Sequence, residues 1–100
     1  MDNNYIKFWG VRGSRPTAEL DKMKFGGDTS CVEIRTSNND LIILDMGTGL
    51  STFGRSILNE LNCPKNINIF LSHYHWDHLL GFLNFTPLFD KTFTFNIYGN

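Results

Sequence analysis

All three histidines of this chain, His73, His75 and His78, lie within the stretch SHYHWDH, and Asp77 stands between the last two. On an extended segment, side chains two apart point the same way, so His73 and His75 share a face and their imidazoles can converge on one ion. If the chain then turns, Asp77 and His78 swing to a neighbouring position, where a carboxylate oxygen and an imidazole nitrogen can hold a second ion. Two ions roughly 3.5–4 Å apart would clamp a bridging hydroxide and the oxygens of a scissile phosphate or carbonyl. Imidazole and carboxylate donors suit zinc first, with manganese or iron as alternatives. The bland alternative is a polar loop whose histidines are solvated or bonded to backbone, with Asp77 capping a following helix. Every histidine of the chain coinciding with an acid at one strand end favours the metal reading.

Positioning such a cluster takes a scaffold, and the apolar pattern supplies one. Residues 5–9, YIKFW, and 31–35, CVEIR, alternate as half-buried antiparallel strands do, with Val32 and Ile34 on one face and Glu33 and Arg35 on the other. The run LIILDM, 41–46, predicts a central strand buried on both faces, followed by a tight GTG turn. Leu50, Phe53, Ile57, Leu58 and Leu61 then make a helical stripe expected in the core, closed by Asn62 and Pro64. INIFL, 67–71, is the next strand and delivers the histidines to its C-terminal end, where open α/β sheets keep their sites. DHLLGFLNF predicts a short helix starting at Asp77 and weakened by Gly81, and TFTFNIY a last strand.

Between the first two strands, residues 10–30 carry glycines, a proline and mixed charge without a period, which predicts a long ordered loop. Loops of that length tend to be functional. Arg12, flanked by glycine, can bond a phosphate with its planar fork, and Ser14 can add a donor; a plain surface arginine is equally open. Gly26 and Gly27 predict a tight turn. Trp9 and Trp76 read as packing residues rather than platforms for a base.

Composition narrows the class. With 41% hydrophobic residues, 19% charged and nine phenylalanines, the chain of 100 residues is globular and amounts to one small domain. Nine Lys and Arg against ten Asp and Glu, without a run of one sign, give no footprint for a nucleic-acid backbone, so a small substrate is expected. No leader pattern and no membrane-length apolar window of about 18 residues occurs, which predicts a soluble cytoplasmic protein. Cys31 and Cys63 lack CxxC spacing and are expected reduced and partly buried.

SHYHWDH resembles the HxHxDH signature of the metallo-β-lactamase fold superfamily, and LIILDMGTG is similar to that family's buried strand ending in an Asp-Gly turn. The resemblance implies that His73 and His75 bind one metal ion and the catalytic pair Asp77 and His78 the second, with Asp45 supporting them from behind; the bland role of Asp45 is to cap the turn. FWGVRGSRPT and KFGGDTSCVEI resemble a narrower subgroup with a WGxRGS loop and a GGNTSC strand. That subgroup adjoins tRNase Z-like and phosphonate-pathway phosphodiesterases and includes anti-Pycsar enzymes that open cyclic nucleotides. Asp28 stands where its pattern more often has Asn.

The fold implied is α/β, the N-terminal half of an αββα sandwich: mostly one mixed sheet with two helices, residues 1–100 forming a partial domain. Later histidines and a bridging aspartate of such sites have no counterpart after His78. Hence the expectations are a truncated piece, inactive alone, with an open apolar sheet face that drives poor solubility or homodimerisation. The implied function of the parent is a metal-dependent phosphodiesterase using a metal-bound hydroxide. Alternatives are a thioester, lactone or β-lactam hydrolase of the same fold, and a non-catalytic metal-binding fragment.

Overall fold

The computed structural model describes residues 4–99. Five strands form one mixed sheet in sequential order: β1 (Tyr5–Gly10), β2 (Cys31–Arg35), β3 (Leu41–Leu44), β4 (Asn66–Phe70) and β5 (Thr94–Tyr98). The first three pair antiparallel, the last three parallel. Helix α1 (Gly49–Leu58) makes the crossover from β3 to β4, and 3-10 turns at Trp76–His78, Leu80–Asn84 and Thr86–Phe89 make the crossover to β5. The expected mixed α/β sheet is thus what the chain forms, compatible with half of an αββα sandwich, with one α-helix among the described residues in place of the expected two. The expected short helix after the histidines is not α-helical; it breaks into 3-10 turns, and no side chain caps them, so Asp77 is not a helix cap.

One face of the sheet is covered. Leu50, Phe53 and Ile57 of α1 pack on Leu41, Ile43, Ile67 and Ile69, with Phe85 closing the layer. Phe53 meets Trp9 edge-on at 5.9 Å and stacks with Phe85 at 6.2 Å. Leu58 and Leu61 depart from the expected stripe. The helix ends at Leu58, so Leu61 lies beyond it and is 89% exposed, and Leu58 is also exposed. Both thiols are free and buried, as expected, and burial pushes that of Cys31 well up.

Alternation in β2 holds, but the covered side is the polar one: Glu33 and Arg35 are buried while Ile34 is partly exposed. Glu33 makes this affordable by accepting from Trp9 Nε1 at 2.8 Å, Tyr5 Oη at 3.1 Å and Arg35 Nε at 2.6 Å. Arg35 also donates to both oxygens of Glu60 at 2.8 and 2.7 Å, tying the segment after α1 to the sheet. Burial alone would lower the guanidinium pKa, but the Glu60 and Glu33 carboxylates prevail and raise it.

The opposite face is open. Phe8, Val32, Leu44, Phe70 and Tyr98 form one row across all five strands, and Ile6, Ile34 and Ile42 begin the next. β3 is therefore central in the sheet yet not buried on both faces, since Leu44 is exposed. Among the described residues no helix is long and apolar enough to cross a membrane.

Candidate metal centre

Parallel strands end on the same edge, and this brings the candidate residues together. β3 stops at Leu44, and Asp45 turns away with φ of 69°, its N–H donating to Phe70 O at 2.8 Å. β4 stops at Phe70, and two residues later Ser72 donates to Asp45 from its backbone N at 2.7 Å and from its hydroxyl at 2.8 Å. Asp45, only 6% exposed, is held beneath the histidines by the strand ends themselves.

The three imidazoles sit above it. His73 lies 4.6 Å from His75 and 3.8 Å from His78 between ring centres. His78 stands between two carboxylates: Nδ1 is 3.0 Å from Asp45 Oδ2, and Nε2 is 3.3 Å from Asp77 Oδ2. Ser72 Oγ approaches Nδ1 of His73 at 3.0 Å and of His78 at 3.4 Å, linking the set. The long loop reaches the same point, because the Ser14 N–H donates to Asp77 Oδ2 at 3.1 Å. Desolvation pushes the Asp77 carboxyl up, but the Ser14 N–H and the nearby His78 and His73 outweigh it and hold the group below its ordinary range.

Close backbone approach locks this arrangement. Met46 N donates to His78 O, and Gly81 N to Met46 O, both at 2.8 Å, while Gly47 N donates to Ser30 O at 2.8 Å. A Cβ on Gly81 would overlap Gly47 O, and one on Gly47 would stand 2.6 Å from Asp77 O. Gly81 thus allows the histidine segment to seat on the Asp45 turn. Asp28 is tied inward, with its carboxylate accepting from Thr48 Oγ1 at 3.1 Å.

All of the residues expected at the site, His73, His75, Asp77, His78 and Asp45, gather at one place, and Ser14 joins them through its backbone rather than its hydroxyl. Arg12 is two residues away along the loop. Trp76 is not a packing residue: it is 74% exposed and borders an apolar cavity of about 340 Å³ shared with Met46, Leu79 and Leu83. Ser72 and Gly81 were missed by motif reasoning, although Ser72 directly precedes the first histidine at a strand end.

Among the described residues, no three His, Cys, Asp or Glu side chains stand so as to hold one ion together. The donor set nevertheless fits a divalent ion in kind, being three imidazoles with carboxylates beside them. A neutral imidazole has one N–H and can serve only one of the two carboxylates facing His78. Serving both carboxylates takes either a second ring proton or a cation at that place.

No family model and no solved structure matches the chain. A curated relative does: ribonuclease Z of Pyrococcus furiosus is 29% identical over 97 residues, covering 94% of this chain. The chain is similar to one part of a ribonuclease Z. It spans 28% of that relative's length.

Proposed function

We propose that the protein carrying this chain is a metal-dependent phosphodiesterase whose ions sit where β3 and β4 end. One observation carries the reading: Asp45, Ser72, His78 and Asp77 form a connected polar set with His73 and His75 against it. In this reading His73 and His75 hold one divalent ion, zinc by donor type, and Asp77 and His78 hold the other. When bound, such a pair supplies Lewis-acid polarisation of the phosphoryl group and activates water for attack.

The remaining work belongs to the chain's own groups. Asp45 accepts from Nδ1–H of His78, which fixes the tautomer and leaves Nε2 free as a donor atom. The Ser14 N–H holds Asp77 in its ionised form and in place. Arg12 brings a fixed positive charge to the loop that meets Asp77. A relative named for ribonuclease activity supports a phosphodiester as the scissile group; the WGxRGS loop and its subgroup resemblance support a cyclic nucleotide. Either substrate places a nucleoside beside the phosphorus.

The test uses the full-length protein. Metal content is measured by plasma mass spectrometry, and hydrolysis is followed on bis-p-nitrophenyl phosphate, a 3′,5′-cyclic nucleotide and a short RNA. Close to two ions per protomer and turnover of at least one of these are expected, with His75→Ala abolishing both. A wild-type protein that is metal-free and inert ends the proposal, and His75→Ala with unchanged turnover removes the assigned role.

A further inference from the structure

The two arms of the long loop enclose a cleft of about 430 Å³ lined by Val11, Arg12, Gly13, Lys24, Phe25 and Gly26. That is the size range of small-ligand sites. Its walls are built rather than draped, because Arg12 N donates to Asp28 O at 3.0 Å and Thr17 N to Gly27 O at 2.9 Å. Building on the phosphodiesterase reading, we propose that this cleft binds the nucleotide flanking the scissile bond, with Arg12 and Lys24 on its phosphate and Phe25 stacked on its base.

Three features point that way. Arg12 Nε is buried and has no hydrogen-bond partner among the described residues. Arg12 lines the cleft, and a guanidinium there offers its N–H donors to an anion. Lys24 adds a second cation to the same cleft, its Nζ 5.4 Å from the centre of the Phe25 ring. Phe25 is 74% exposed at the edge of the cleft, so the ring surface that Lys24 Nζ does not cover is open to a planar partner. Two cations alone would suit any phosphate; the exposed ring beside them selects a phosphate that carries a base.

The loop that forms the cleft also reaches the candidate centre. Ser14 donates to Asp77, and two Cα steps place Arg12 Cα within about 7.6 Å of Ser14 Cα. The loop that carries Arg12 thus also contacts Asp77, through Ser14. Lys24 and Phe25 would act on binding and substrate choice, apart from the chemistry.

The experiment reads binding without metal. The full-length protein in chelator is titrated by calorimetry with AMP, ribose 5-phosphate and inorganic phosphate at two salt concentrations. AMP should bind tightest. Phe25→Ala should weaken AMP about tenfold and leave the other two unchanged, and Phe25→Trp should restore it. Lys24→Gln should weaken all three and reduce the salt dependence. The subsite is overturned if AMP binds no better than ribose 5-phosphate, if Phe25→Ala leaves AMP unchanged, or if none of the three binds. Because these titrations need no ions, a protein that binds AMP yet splits no phosphodiester keeps the subsite and loses the phosphodiesterase, while the reverse result does the opposite.

Discussion

Asp45 occupies the left-handed backbone region at φ of 69°, a conformation that Asp tolerates better than most residues but that still costs about 1 kcal/mol. The turn is kept because it aims a buried carboxylate at Ser72 and at Nδ1 of His78. Asp45→Asn isolates the charge from the backbone, since Asn tolerates the same φ. Its amide can still accept from the Ser72 N–H, but an N–H facing Nδ1 would move the His78 proton to Nε2, the nitrogen needed for an ion. The variant should therefore fold, losing about 1–2 kcal/mol of stability, while zinc affinity falls about 10- to 100-fold. Thermal melts and a competitive zinc titration of the full-length protein measure the two separately. Unchanged zinc affinity would show that Asp45 only caps its turn.

At the level of elements, the decisive joint is the seating of the 78–81 segment on the Asp45–Gly47 turn. Gly81→Ala would push a methyl into Gly47 O, which the paired backbone bonds at 2.8 Å leave no room to avoid. We expect a loss of about 3 kcal/mol or more, as for overpacking against rigid backbone, together with loss of metal; Leu83→Ala, an exposed neighbour, should cost little. Denaturant melts of both variants decide it, and a neutral Gly81→Ala would refute the joint. Gly81 was legible in the sequence only as a helix weakener, because its value lies in a contact with residues more than thirty positions away. Strands β1, β2 and β4 were legible to within a residue, since alternation and apolar runs are local properties. The sign of the β2 alternation was not: period two says that Glu33 and Arg35 share a face, and only Trp9, Tyr5 and Glu60 make that face the covered one. Leu61 was misplaced because an apolar stripe does not mark where a helix stops. The candidate metal motif was legible because its residues, His73 to His78, lie within six consecutive positions, whereas the Lys24 and Phe25 cleft depends on two loop arms meeting in space.

For the molecule as a whole, the sheet has one finished side and one open side, and the open side carries a continuous apolar row from Phe8 to Tyr98. Ile6 and Phe8 are 61% and 65% exposed, and Phe70 stacks with Tyr98 at 4.9 Å on the same face. Exposed apolar surface of this continuity favours association, and β1 and β5 add two free sheet edges. The 100-residue chain made by itself should therefore sediment as dimers or larger species at micromolar concentration. Phe8→Lys combined with Leu44→Lys places one charge at the end of the row and one in its middle and should shift the population to monomer. Neither residue supports the covered core, so the melting temperature of the monomer should stay within a few degrees of the parent chain, each substitution costing about 0.5 kcal/mol or less. Sedimentation velocity gives the answer directly. A wild-type chain that stays monomeric across the concentration range would mean that the apolar row is too flat or too interrupted to hold a partner. The polar residues Asn68 and Asn96, which bond to each other at 3.2 Å in the adjacent row, would then be the ones limiting it.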